Sequence, residues 1–351
     1  MKLNANAKVL AATIAEATQF CTATGLDSCV NMVLDGNILT VRSRTERNGY
    51  IENLDVSGSE DGNATVPAKR LLDILNQIPA EDTELSDKDG NLVIKQKGIR
   101  FRLKCADAGN HFKLEEPEKW ADLPAGFGTM IPRIAFASSS DASKPAMTGI
   151  RFQRRDGKLD IVATDGRRLC IGVIDTDCIG DMTLPASFAL LMAKRDAGSF
   201  SVANGLAWFR KGERTWISTL LTPAYPAYLR VIPEIRDDSV RVRISVAEFA
   251  DAVRRITILS DSRYHYRIKL EVRDGQLTVS SFSDAGTAKE TISCESTADT
   301  EMYFQSRYIS DVIKAVTGTH VTLIRSGLYS PVVFLCDDPD WKAVVMPMNC
   351  D

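Results

Sequence analysis

The sequence predicts an α+β protein built from three tandem copies of one small domain, and three observations carry that prediction. One hairpin signature occurs three times, the same helical patterns flank each occurrence in the same order, and the spacing is nearly constant. The hairpins are DGNILTVRSRT (35–45), DGKLDIVATDG (156–166) and DGQLTVSSFSD (274–284). Each opens on Asp-Gly, which suits a tight turn because glycine accepts positive φ. Each then alternates with period two, as a strand with one buried face does. From Asp35 to Asp156 is 121 positions and from Asp156 to Asp274 is 118. That period is too long for a solenoid repeat and fits a domain.

The other elements fall in phase with the hairpins. Every copy opens on a helical pattern: AKVLAATIAEATQFC (7–21), IPRIAFASSSD (131–141) and SVAEFADAVRRITILS (245–260). The last places Ser245 and Glu248 at capping-box spacing. A second helical pattern follows each hairpin: VPAKRLLDILNQI (66–78), LPASFALLMAKRD (184–196) and FQSRYISDVIKAV (304–316). Pro67 and Pro185 stand where a helix begins, a place that tolerates proline because first-turn N–H groups have no intrahelical partner. Turn-to-strand segments close each copy at 89–103, 204–221 and 326–336. Proline, glycine and charge interrupt the pattern at DLPAGFG and IPEIRDDSVR, so the expected domains are 1–124, 125–238 and 239–351.

Bulk properties narrow the function. The net charge of −3 announces no nucleic-acid partner, so DNA would need a local basic surface on a mildly acidic body. The eight cysteines include no C-x-x-C pair and sit mostly in apolar or strand-like runs, which predicts reduced and mostly buried thiols. No apolar run approaches membrane-spanning length, and the N-terminal segment lacks a signal-peptide core; the expected location is the cytoplasm.

The stretch VATDGRRLC (162–170) gathers Thr164, Asp165, Gly166, Arg167 and Arg168, the residue types of a metal, phosphate or nucleophile site. A metal would need convergent ligands, yet His111, His265 and His320 stand in no ligand-like spacing, and no P-loop, G-x-S-x-G or G-x-G-x-x-G is present. Asp165-Gly166 reads more simply as a turn. The expectation is a non-enzyme with no catalytic residue, no metal and no cofactor.

The triplication resembles the bacterial DNA polymerase III β subunit, the sliding-clamp family, along the whole chain. TGIRFQRRDGKLDIVATDGRRL (148–169) is similar to the family's NGMLFE…LRTVATDGHRLA, YPAYLRVIP (225–233) to FPDYRRVLP, and AVVMPMNCD (343–351) to YVVMPMRL; VPAKRLLDIL also matches. The resemblance implies three DNA-clamp domains, each giving two helices to an inner wall and antiparallel sheets to an outer one. It implies that a head-to-tail homodimer closes into a ring. The ring would encircle double-stranded DNA without reading sequence. It would tether the polymerase III α subunit, the clamp loader and other proteins with clamp-binding peptides. The alternative is a divergent paralogue that binds clamp partners without being the main replicative clamp.

The resemblance also assigns residues. Cations on or beside the repeated helices would face DNA: Lys8, Lys69, Arg70, Arg133, Lys144, Lys194, Arg195, Arg254, Arg255, Arg307 and Lys314. A peptide-binding pocket would take Met147, Thr164, Gly166, Arg167, Arg168 and Leu169 from the second copy. Pro226, Arg230 and Val231 would come from the connecting stretch, and Tyr308 and Ser330 from the third copy. The last strand would add Val344, Met346, Pro347 and Met348. Methionine gives such a pocket an adaptable apolar floor and arginine a rim that holds carbonyls or acids. Phe101 and Leu103 would meet Ile258 and Leu259 of a partner across the dimer contact. Departures from the family pattern touch these sites. Arg167 stands for a histidine, Lys144-Pro145-Ala146 for tyrosines and PASF for a basic pair. TATGLDSCVN replaces a Gly- and Arg-containing loop, and the tail ends Asn349-Cys350-Asp351. They weaken or redistribute the expected DNA contacts and shift the expected peptide preference.

Overall fold

The computed structural model describes residues 1–348, the side chain of Tyr264 excepted; the tail Asn349-Cys350-Asp351 lies outside the described residues. Among the described residues six α-helices form, two for each repeat of the sequence pattern: α1 (Ala7–Thr18), α2 (Ala68–Leu75), α3 (Phe127–Ala135), α4 (Ala186–Arg195), α5 (Val246–Ile256) and α6 (Ser306–Ala315). They pack as the pairs α1 with α2, α3 with α4 and α5 with α6. Among the described residues all strand pairings are antiparallel.

The chain divides into two compact units, residues 1–123 with 196–220, and residues 124–195 with 221–351. In the first, Asn6 caps α1 by accepting from the Lys8 and Val9 amides, and Leu10, Ala11, Ile14 and Ala17 bury one face. A five-stranded sheet ends on strand Ile99–Lys104, and an eight-stranded sheet joins Asn48–Asp55 to Arg214–Thr219. That sheet therefore mixes strands from two copies of the repeat. Its core holds Tyr50 and Trp216. The Tyr50 hydroxyl donates to Glu52 at 2.6 Å, and Trp216 Nε1 donates to Glu16 at 3.1 Å.

The second unit contains a four-stranded sheet and a nine-stranded one. In the larger, strand Arg168–Ile174 of the second copy pairs with Trp341–Val345 of the third. Asp156 and Gly157, and likewise Asp274 and Gly275, all take positive φ, the two-residue turn that matches strand twist. In the first copy the strands pair Asp35 with Ile38, so the turn is Gly36-Asn37, one residue later than the Asp-Gly reading.

Three local expectations are corrected. Helix α3 starts at Phe127 rather than at Ile131, with Pro132 inside it. The Ser245–Glu248 capping box does not form: Ser245 is held in the sheet opposite His320, and its hydroxyl makes no bond to the first turn. Of the seven described cysteines, all free, Cys29 and Cys170 are buried while Cys21, Cys105, Cys178, Cys294 and Cys336 are only half-buried.

Candidate functional site

The turn at 164–168 assembles itself. Thr164 Oγ1 donates to the Arg168 carbonyl at 2.7 Å and accepts from the Gly166 amide at 3.1 Å. Asp165 Oδ1 accepts from the amides of Arg167 and Arg168 at 2.9 and 3.0 Å. Gly166 has φ of 90°, where a side chain would be strained. The hydroxyl and carboxylate that suggested chemistry are thus committed to local geometry.

Strand pairing carries this turn to the last strand. Leu169 lies opposite Val344 and Arg168 opposite Val345, and the ladder runs on as Met346 N–H donates to the Arg167 carbonyl at 2.9 Å. Met348 N–H then donates to the Tyr303 carbonyl at 2.7 Å. Above this backbone lies an open groove of about 980 Å³, lined by Lys144, Asp165, Gly166, Arg167, His265, Gln305, Tyr308, Met346, Pro347 and Met348. Met346 is 41% exposed although it is large and apolar, a mark of a surface that binds.

The expected pocket residues therefore divide. Gly166, Arg167, Tyr308, Met346, Pro347 and Met348 line the groove. Pro226 and Arg230 line a separate cavity of about 530 Å³ along residues 221–230. Leu169 and Val344 are core residues with Val162, Ile171, Tyr228, Ile324 and Val333, and Thr164 is buried in its turn. Met147, Val231 and Ser330 line neither cavity. Lys144, expected toward DNA, lines the groove instead. His265 and Gln305 were missed; the one signal at His265 is its left-handed backbone, which the sequence does not announce.

Arg168 corrects the picture of a rim arginine. Its side chain is 5% exposed and bonded three ways: Nε to Asp165 at 3.0 Å, one terminal nitrogen to Asp311 at 2.7 Å, the other to the Phe136 carbonyl at 2.6 Å. Phe136 and Tyr308 flank it at 5.3 and 4.7 Å from its central carbon. Burial, followed by the charge of Asp165, raises the Tyr308 phenol above its ordinary pKa.

Arg133 is a second correction. It was expected to face DNA, but it bonds Asp338 at 2.5 Å and the Ala315 carbonyl at 2.9 Å and lies over Trp341. Buried apolar neighbours and a carboxylate hold it inward. Arg195 is half-buried. Lys8, Lys69 and Arg70 are exposed in the first unit, and Lys194, Arg254, Arg255, Arg307 and Lys314 in the second. Arg254 pairs with Asp251, Arg255 with Glu290, and Arg307 lies 3.6 Å from Asp311.

Phe101 and Leu103 are half-buried on the edge strand Ile99–Lys104 of the first unit. In the second, Ile258 is 78% exposed and Leu259 half-buried. Among the described residues no group of three or more His, Cys, Asp or Glu side chains is arranged to hold a metal ion. No helix there is long and apolar enough to cross a membrane.

Residues 229–349 match the model of the DNA polymerase III beta subunit, C-terminal domain. That match covers about a third of the chain, and similarity to bacterial sliding clamps extends beyond it. The chain is 24% identical over 348 residues to the beta sliding clamp of Treponema pallidum, covering 93% of each. It is also 24% identical to that of Staphylococcus aureus over 294 residues, 79% of this chain and 77% of that one. The fold is similar to that of the DNA polymerase III subunit beta of Pseudomonas aeruginosa, with 23% identity, TM-score 0.92, and 99% and 100% of the two chains covered. It is likewise similar to the Bacillus subtilis sliding clamp, at 18% identity, TM-score 0.92 and full coverage of both. A further Pseudomonas aeruginosa clamp, 23% identical, with TM-score 0.90 and 99% of each chain covered, is bound to griselimycin.

Proposed function

We propose that this protein is a DNA sliding clamp, a non-catalytic processivity subunit. It encircles duplex DNA as a head-to-tail homodimer in the cytoplasm. Polymerase III α subunit, clamp loader and other partners are tethered through peptides seated in the groove at Arg167 and Met346–Met348. The observation that carries the tethering is that groove: exposed Met346 beside Pro347 and Met348, with Tyr308 on one flank and Arg167 and Lys144 as cations for an acid or carbonyl. Exposed cations on the repeated helices support non-specific phosphate attraction, which asks for positive potential and no base readout. The unpaired edge of Ile99–Lys104 and the exposed Ile258 support the dimer contact. The departures at Arg167 and Lys144 favour a second reading, a paralogue with altered partners.

Solution mass measured together with binding of a fluorescein-labelled clamp-binding peptide tests the proposal. A dimer that binds the peptide, with Met346→Ala weakening it about fivefold, is the expected result. A strict monomer that binds no peptide, or binding indifferent to Met346→Ala, refutes it. Peptide binding without loading on nicked circular DNA selects the paralogue.

A further inference from the structure

We propose that Asp311 is a positioning residue for the groove: with Asp165 it locks the buried Arg168 guanidinium between Phe136 and Tyr308, tying the 165–167 turn to helix α6. The inference rests on the groove being a peptide site.

A guanidinium this deeply buried must be matched in charge and hydrogen bonds. Asp165 alone matches the charge, at 3.0 Å. Asp311 adds geometry. The three nitrogens of Arg168 each take an acceptor from a different place: Asp165 in the turn, the Phe136 carbonyl just after α3, and Asp311 on α6. A planar fork with fixed donor directions can satisfy all three only when the elements hold one relative placement. Tyr308 precedes Asp311 by three residues on α6, so its ring meets the same guanidinium at 4.7 Å. Gly166 and Arg167 on one side and Tyr308 on the other line the groove. The lock therefore sets the spacing of two groove walls.

It also sets the electrostatics. Arg307, Asp311, Arg168 and Asp165 form a chain of alternating charge, with Arg307 at 3.6 Å from Asp311. Arg168 is neutralised within it. A ligand carboxylate is then met by Arg167 and Lys144, which line the groove, and not by Arg168. Asp311 fixes which arginine of the adjacent pair the ligand finds.

The test is binding of the fluorescein-labelled clamp-binding peptide to the full chain, read by fluorescence anisotropy, with thermal unfolding of each variant alongside. Asp311→Asn is expected to weaken binding about tenfold, and Asp311→Glu to recover most of that loss. Arg168→Lys, which keeps the charge and loses the fork, is expected to give a similar loss. The double variant should be no worse than either single one, because both remove one lock. If Asp311→Asn does not fold, Arg168→Lys and Asp311→Glu carry the same comparison. Binding by Asp311→Asn as tight as wild type or tighter, or losses that simply add in the double variant, overturns the inference. If wild type binds and Met346→Ala weakens it while Asp311→Asn does not, only the positioning role falls. If wild type does not bind at all, the groove reading falls and this inference with it.

Discussion

Tyr228→Phe removes one hydroxyl from the seat of the connecting stretch, and its cost follows from the atoms around it. The Tyr228 hydroxyl donates to Asp160 Oδ2 at 2.8 Å, and Asp160 is 1% exposed. Arg155 also bonds that carboxylate, at 2.9 and 3.3 Å, from a side chain 44% exposed. A hydrogen bond to a charged group contributes about 1.5–3 kcal/mol. Since Arg155 remains and the carboxylate is not orphaned, the lower end applies, about 1.5–2 kcal/mol. The ring keeps its place in the core with Leu169 and Val344, so no cavity term is added. Urea denaturation followed by circular dichroism is expected to show that loss with an unchanged slope. Amide exchange should quicken first in residues 221–232, which the bond pins to the sheet. A variant as stable as wild type would refute the reasoning. So would a loss above about 4 kcal/mol, because it would mean that Arg155 does not sustain the buried charge.

Two further outcomes follow from burial. Gly172 lies on strand Arg168–Ile174 under α3, where an added Cβ would come within 2.5 Å of Met130 Sδ and 2.6 Å of Ile134 Cδ1. Gly172→Ala should therefore cost about 1–3 kcal/mol in a denaturant melt, and a neutral result would show that α3 shifts freely. Stability should also fall as pH rises above about 9. Burial, then the Glu52 bond, raises the Tyr50 phenol; burial, then Asp160, raises that of Tyr228; burial pushes the Cys21 thiol up to about 12. Between their ordinary values and the raised ones the folded state holds more protons than the unfolded, so alkali favours unfolding. A urea midpoint that stays flat from pH 8 to about 11 would contradict this.

What could be read from the sequence was what is local. The 164–168 turn is legible because Thr164 and Asp165 find their partners within four residues. Five helices followed from apolar spacing, but α3 was read from Ile131 whereas it begins at Phe127, with Pro132 inside it. Arg133 and Arg168 were misplaced for a different reason. Nothing in helical or strand periodicity separates a solvated arginine from one whose carboxylate lies in a distant segment, here Asp338 and Asp311. The groove's apolar half was visible in Met346, Pro347 and Met348, while His265 and Gln305 reach it only through packing. Leu169 and Val344 match the family's pocket by position, yet the structure buries them, because Tyr228 and its neighbours cover them.

The strand Trp341–Val345 sits inside the nine-stranded sheet, between Arg168–Ile174 and Val332–Cys336. Until it is in place, two strands made at very different times present raw edges to other chains. Every residue before Trp341 is therefore made before the nine-stranded sheet can be closed. The slow, non-local step in folding should be the docking of that late strand. Nascent chains stalled before Trp341 would be the aggregation-prone species, the ones a holding chaperone has to meet.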